Sequence, residues 1–321
     1  MIARIRPYAK YIAVFITIIF VAILLTQVSL TDVISTIRQI NPVYLLAGFA
    51  FYSVSYFLRA WRFHILLNNE VATRDLFPVV CVHNMMNNLL PARTGELSYV
   101  YLLKKVNNRT TGEGLATLVV ARIFDCIALA VLFFTAIFLV RNVPVVILHS
   151  LWIICSCITI FIVLLVLLLW YGRPFIMKVE KFMKFLHIDQ KHAVRYLLKK
   201  GDETVESLDQ IHMHHIMVYT VASSFLIWGL NYGMVYLILE GLGFHLPLQY
   251  VILGGTFILL TTILPIQGIG GFGTTEMVWT LVFVPLGLSL NDAIISGFCY
   301  HIILIFYFVI LGIYGWIKLK L

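Results

Sequence analysis

Two long apolar segments of this sequence are each broken by Leu-Pro and then by glycine, and these breaks restrict the fold more than any other feature. The segments cover about 77–106 and 251–289, with breaks at 90–96 and 264–276. Each half is roughly 14 residues long and reaches about 21 Å as a helix. A hydrocarbon core is about 30 Å thick. Each segment is therefore either one broken span or a re-entrant hairpin, which returns to the side it entered.

Six further apolar runs are each long enough to cross a bilayer as a helix. Only 12% of the residues are charged and 61% are hydrophobic, whereas a soluble protein carries about a quarter charged residues. This composition excludes a soluble enzyme and a disordered chain, and it predicts an integral membrane protein. The predicted spans are 11–28, 43–66, 115–140, 145–170, 216–240 and 294–317.

The net charge of +8 is, in a membrane protein, a signal of topology rather than of nucleic-acid binding. If both broken segments are hairpins and the N-terminus is cytoplasmic, most of the 23 basic residues lie on the cytoplasmic side. If the first segment crossed once, the basic loop at 173–200 would move outside. We therefore predict two hairpins and cytoplasmic N- and C-termini, in the plasma or inner membrane of the cell.

Three spans separate the two hairpins, so they enter from opposite faces, as in inverted-repeat transporters. The predicted fold class is an all-α polytopic membrane protein, with six full spans plus two re-entrant helical hairpins in inverted-repeat arrangement. Residues 1–321 form one transmembrane domain in this prediction. The cytoplasmic basic loop at about 171–215 is predicted to be interfacial helix.

Four ionisable residues are predicted at membrane depth, where each costs roughly 2.5 to 3.5 kcal/mol. Arg93 and Glu96 lie in the first break, and Arg122 and Asp125 share one face of the third span at i and i+3. They are either mutual salt bridges that hold the hairpin or a site for an anionic group such as a lipid phosphate. The two interpretations are compatible.

The second break contains Gly270, Gly271 and Gly273, followed by Glu276. The Gly-x-Gly-x-x-Gly spacing does not indicate a dinucleotide site, because no strand precedes it. The glycines either bring backbone N–H groups to an anion or let the chain reverse. Glu276 either complements the helix dipole or binds a proton or an amine.

Other polar positions have ordinary structural interpretations. Arg59 and Arg62 flank Trp61 in the pattern of interfacial anchors. The sequence does not decide whether Asn84, Asn87 and Asn88 line a polar cavity or satisfy the hairpin backbone. The histidines at 212, 214 and 215 lack a carboxylate or cysteine to complete a metal site. We predict no metal and no cofactor, and the sequence has no phosphate-binding loop for ATP.

The ordered motifs of this chain resemble those of the lysylphosphatidylglycerol synthase transmembrane region family, which is also described as the flippase-like domain family. The resemblance implies an eight-segment bundle with re-entrant helices that moves aminoacylated phosphatidylglycerol between leaflets. It also implies that Arg93, Glu96, Arg122, Asp125, Gly270, Gly271, Gly273 and Glu276 bind the substrate. The motifs are Leu90-Pro91-Ala92-Arg93-Thr94-Gly95-Glu96, Arg122-Ile123-Phe124-Asp125, and Leu264-Pro265 with Gly270-Gly271-Phe272-Gly273 and Glu276.

This chain departs from the family at Tyr99, where Arg is frequent, and at Ala121, where Glu is frequent. It also has no room for the cytosolic transferase domain of the bifunctional members. We therefore expect a lipid flippase rather than an enzyme, with membrane phospholipids as partners. The sequence also allows a homo-oligomer and a separate lipid-modifying enzyme as partners. The alternatives are a head-group transferase with Glu96 or Asp125 as general base, and a scaffold for a separate lipid synthase.

Overall fold

The computed structural model describes residues 20–90, 95–140, 213–261 and 269–320, together with isolated positions between 156 and 181. Every regular element in these residues is a helix. The bounds are α1 Leu30–Gln39, α2 Pro42–Leu66, α3 Thr73–Leu89, α4 Glu96–Asn107, α5 Thr111–Leu139, α6 Met213–Gly241, α7 Leu248–Thr261, a 3-10 turn Ile269–Gly271, α8 Thr274–Phe283 and α9 Leu290–Leu319.

Four helices are long and apolar enough to cross a membrane, and they match four of the six predicted spans. They are Pro42–Leu66, Thr111–Leu139, Ile216–Gly241 and Leu290–Leu319. The predicted spans at 11–28 and 145–170 lie largely outside the described residues.

Helix α5 begins a few residues before its predicted start because a polar cap extends it. The Thr110 side chain accepts from the backbone N–H of Glu113, and the Glu113 side chain accepts from the Thr110 N–H. This reciprocal capping box satisfies two N–H groups that a helix end otherwise leaves without partners. Hydropathy alone does not predict that these polar residues are helical.

Close helix contacts hold α3 inside the bundle. It packs extensively on both α2 and α9, and less on α4. A Cβ at Gly312 of α9 would meet the Met85 side chain of α3 well inside van der Waals distance. Small residues at such crossings let two helices approach closely, which is how membrane helices gain packing energy.

The first broken segment is a helical hairpin whose two ends meet. Helix α3 ends before Leu90, and α4 begins after Gly95. The carboxylate of Glu70, before α3, forms an ion pair with Arg109, which follows α4. The residues before α3 and after α4 are therefore in contact.

The second broken segment has the same plan with a longer break. Helix α7 ends at Thr261 and α8 begins at Thr274, with the 3-10 turn just before it. The ring of Phe283, near the end of α8, lies against Gly254 in α7. The 3-10 turn contacts α3, so the described part of the second break lies against the first half of the first broken segment.

Candidate functional site

A buried ion pair joins three helices at the centre of the candidate site. Arg62 on α2 donates from Nη1 to Oδ1 of Asp125 on α5 at 2.6 Å, and from Nη2 to Oδ2 at 3.2 Å. Nη1 also donates to Ser224 Oγ on α6 at 2.8 Å. Both charged side chains are 2% exposed. Such a pair is stable only because each charge is matched and hydrogen-bonded.

The interpretation of Arg62 as an interfacial anchor is wrong. An anchor extends its charge to water, whereas Arg62 is one of the largest fully buried side chains of the described residues. The spacing of Arg59 and Arg62 could have indicated that Arg62 is buried. Residues at i and i+3 share one helix face, so two arginines three apart indicate a polar face within an apolar span.

Arg122 is bound by both predicted carboxylates. Its Nη2 lies 3.0 Å from Glu96 Oε1, and its Nη1 lies 3.6 Å from Asp125 Oδ2. The predicted contact between Arg122 and Asp125 is therefore confirmed, although Asp125 has a closer partner in Arg62. Arg93, the predicted partner of Glu96, lies outside the described residues.

Three arginines from two helices surround one small polar cavity. The guanidinium of Arg59 lies over the Trp228 ring at 5.7 Å from its centroid. The Nε atoms of Arg59, Arg62 and Arg122 are buried and have no hydrogen-bond partner among the described residues. Buried polar atoms are nearly always satisfied by protein, water or ligand. The cavity is lined by Arg59, Arg62, Phe63, His83, Asn84, Leu118, Ala121 and Arg122.

The cavity contains more positive than negative charge. Among the described residues, Asp125 forms ion pairs with Arg62 and Arg122, and Glu96 forms one with Arg122, so two carboxylates face three arginines. One guanidinium charge therefore remains unmatched there. Arginine groups in a fixed fork suit carboxylate and phosphate oxygens, so the arrangement favours an anionic group.

Two polar residues of α3 complete the cavity wall. His83 Nδ1 lies 3.2 Å from Ser98 Oγ on α4, which ties the two halves of the hairpin together. Asn84 donates to the Val80 carbonyl at 3.0 Å. Asn84 thus lines the cavity, as one of the two alternatives predicted, and its bond to Val80 lies within α3 rather than at the break.

Glu276 and His301 bind the backbone of the glycine turn in the second break. Glu276 is fully buried and its Oε2 accepts from the Gly273 N–H at 2.7 Å, while its Oε1 lies 2.6 Å from His301 Nδ1. His301 Nε2 lies 3.0 Å from the Gly270 carbonyl oxygen. Gly270, Gly271 and Gly273 have φ of 60°, 82° and 80°, which glycine adopts without the strain other residues meet.

His301 is a site residue that was not predicted from the sequence. A histidine within a long apolar span is itself a signal, because ionisable residues at membrane depth are rare. Its partner lies 25 positions earlier in the chain, so no local spacing connects them. Within the parts of the chain that the structure describes, no three metal-ligating side chains lie close together. The side chains of the histidines at 212, 214 and 215 lie outside those parts.

Comparison with known proteins places the chain in a family. The model of the lysylphosphatidylglycerol synthase transmembrane region matches residues 11–312. A UPF0104 membrane protein of Methanothermobacter thermautotrophicus is 25% identical over 87% of this chain and 86% of its own length. The UPF0104 membrane protein PH1989 of Pyrococcus horikoshii is 22% identical over 87% of this chain and 88% of its own.

A shorter match covers 36% of this chain and 19% of the glycosyltransferase AglD of Haloferax volcanii, at 28% identity. No solved structure matches. The family match covers nearly all of the sequence, and the long apolar helices agree with it. The chain is therefore a multi-pass membrane protein of the lysylphosphatidylglycerol synthase transmembrane region family.

Proposed function

We propose that this protein moves a lipid with an anionic phosphate head group between the leaflets of the cell membrane. The cavity of Arg59, Arg62 and Arg122 carries this proposal, because three arginines meet there with buried Nε atoms that lack partners among the described residues. A phosphate offers several acceptor oxygens to such donors. The lipid tails stay in the bilayer while the head group passes.

The carboxylates have a positioning role in this mechanism. Asp125 fixes Arg62, and Glu96 orients Arg122 from the start of α4. Without these carboxylates, Arg62 and Arg122 would repel each other whenever no lipid is bound. Partial neutralisation keeps the site folded without lipid and leaves one positive charge for the phosphate.

We further infer that the chain has six full spans and two re-entrant hairpins that enter from opposite faces, with both termini cytoplasmic. The ion pair between Glu70 and Arg109 supports the first hairpin, because it joins the residues before and after it. The contact of the 3-10 turn with α3 supports a meeting of the two breaks. Alternating access in inverted-repeat transporters takes place around such a meeting point.

Aminoacyl-phospholipids, phosphatidylglycerol and polyprenyl-phosphate lipids share the required phosphate. The two departures from the family pattern lie at the cavity, since Ala121 lines it and Tyr99 stacks on Phe63, which lines it too. Each replaces a charged residue of the family by an uncharged one. We infer that the preferred head group differs from lysyl-phosphatidylglycerol in its charged groups.

The test is leaflet exchange of fluorescent lipids in liposomes that contain the purified protein. Wild-type protein is expected to exchange phosphate lipids and to leave them chemically unchanged by mass spectrometry. R59A and R122A are expected to slow exchange by about 10- to 100-fold, because a hydrogen bond to a charged group contributes about 1.5–3 kcal/mol. R74A is the matched control, since Arg74 is 87% exposed at the start of α3.

Normal exchange in both cavity variants would overturn the assignment of the site. Detection of a new covalent lipid species would overturn the transport proposal in favour of the alternative, a head-group transferase. A scaffold for a separate synthase would show no exchange in the wild type, and it would bind the synthase through the basic loop at about 171–215.

A further inference from the structure

The contacts of Glu276 and His301 require one shared proton. The Gly270 carbonyl only accepts hydrogen bonds, so His301 Nε2 carries a hydrogen in its 3.0 Å contact. The 2.6 Å contact between Nδ1 and Oε1 needs a second hydrogen. It resides either on the carboxyl of Glu276 or on the imidazole, and in both cases the pair is neutral overall.

Loss of this shared proton breaks the contact. The Glu276 carboxylate and the bare Nδ1 of His301 are then two acceptors facing each other, and neither can donate. An unpaired buried charge is costly, so the two groups separate. One proton leaves the pair, and no other bond is made or broken.

The pair connects proton loss to the position of the second break. Glu276 holds the turn through the Gly273 N–H, and His301 holds it through the Gly270 carbonyl from α9. The same turn contacts α3, which lines the arginine cavity. Separation of the pair therefore loosens the contact between the second break and the first hairpin.

Several elements with titratable groups pack around the pair. Within the described residues, none of the titratable side chains of the elements packed against it bonds to Glu276 or His301. The break carries no others in its described part, and Gly270 and Gly271 are partly exposed. The groups on those elements are Arg74, Asp75, Cys81 and His83 of α3, Tyr250 of α7, Asp292, Cys299, Tyr300, Tyr307, Tyr314 and Lys318 of α9, and Asp32 and Arg38 of α1. Helices α2 and α6 also contact α9, and their groups are Tyr44, Tyr52, Tyr56, Arg59, Arg62 and His64 of α2, and Tyr219, Tyr232, Tyr236 and Glu240 of α6.

We propose that Glu276 and His301 form a proton-binding site that couples lipid movement to a proton gradient. This inference rests on the proposed function and adds a second transported species, the proton. When the pair binds its proton, these hydrogen bonds hold the turn against α9. When the pair releases its proton, the turn moves relative to α3 and the cavity opens to the other leaflet.

The test uses liposomes with a one-unit pH difference, a membrane potential clamped at zero and a fluorescent phosphate lipid. One proton per lipid is expected to shift the steady-state leaflet ratio by about tenfold, because one pH unit is a tenfold difference in proton activity. A pH-sensitive dye inside the liposomes is expected to report proton movement when lipid is added to the wild type. This second readout needs no variant.

E276Q and H301Q are expected to slow exchange at symmetric pH and to lose both the gradient-driven shift and the dye signal, because neither variant keeps the shared proton that holds and releases the turn. The matched control is H245Q, because His245 forms a similar 2.7 Å contact with Glu240 but is 74% exposed. H245Q should keep the full shift.

The outcomes separate the two proposals. Wild-type exchange at symmetric pH with no response to the gradient and no dye signal would overturn the proton site and leave the transport proposal intact. A full gradient response in E276Q and H301Q would also overturn it. No exchange in the wild type under any condition would overturn the proposed function itself.

Discussion

The two broken helices of this protein satisfy their polar groups in different ways. The first lies against a cavity whose arginines, on α2 and α5, are neutralised only in part by the carboxylates of Glu96 and Asp125. The second brings a carboxylate and an imidazole together as a neutral pair over glycine backbone. An excess of charge favours a charged ligand, whereas the hydrogen-bonded pair is the basis of the proposed proton-binding site. Similar breaks in one chain thus support different tasks.

The largest expected effect comes from removing one charge of the buried ion pair between Arg62 and Asp125. We expect D125A to lower the free energy of unfolding by about 3–5 kcal/mol, because it leaves Arg62 buried without its main partner. Denaturant titration in detergent micelles measures this. The double variant R62M/D125L removes both charges and is expected to recover most of the loss. A double variant as unstable as D125A would contradict the role of charge matching.

A smaller effect is expected at the glycine turn. G271A places a side chain at a φ of 82°, with Thr275 Oγ1 2.8 Å from the new Cβ. Left-handed backbone costs a non-glycine residue about 1–2 kcal/mol, so we expect a loss of that size and slower exchange. G229A is the control, since nothing lies within 4 Å of a Cβ there. If G271A were as stable as G229A, the turn would not need its conformation.

The smallest effect is expected at the surface of the first hairpin. E70A removes the ion pair with Arg109, in which Glu70 is 53% exposed. Exposed pairs contribute about 0–1 kcal/mol. We expect the thermal unfolding temperature of E70A to be close to that of the wild type. The difference should become smaller still at high salt, because salt screens exposed ion pairs. A loss as large as that of D125A would mean that the hairpin ends, rather than the cavity, stabilise the fold.

The sequence predicted those parts of the fold that depend on local hydropathy. The helices Pro42–Leu66 and Leu290–Leu319 follow from the length of their apolar runs. Helix α1 at Leu30–Gln39 was not predicted, because it is amphipathic and too short to span. Its signal was the capping box of Ser29 and Asp32 at its start.

The sequence predicted the site less completely, because its contacts are not local. The contact of Arg122 with Asp125 follows from i and i+3 spacing on one helix. The pairing of Arg62 with Asp125 spans 63 positions and depends on how α2 is rotated about its own axis. His301 reaches Glu276 only after the chain reverses at the glycine turn. Neither rotation nor reversal can be read from the spacing of residues on one helix.

The central claim is that the arginine cavity binds a lipid phosphate, and native mass spectrometry of the purified protein tests it most directly. The account predicts that wild-type protein and R74A retain phosphate lipids in preference to diacylglycerol, which lacks a phosphate. It predicts that R122A loses this preference while remaining folded. Equal retention of phosphate lipid by R122A and wild type would contradict the claim.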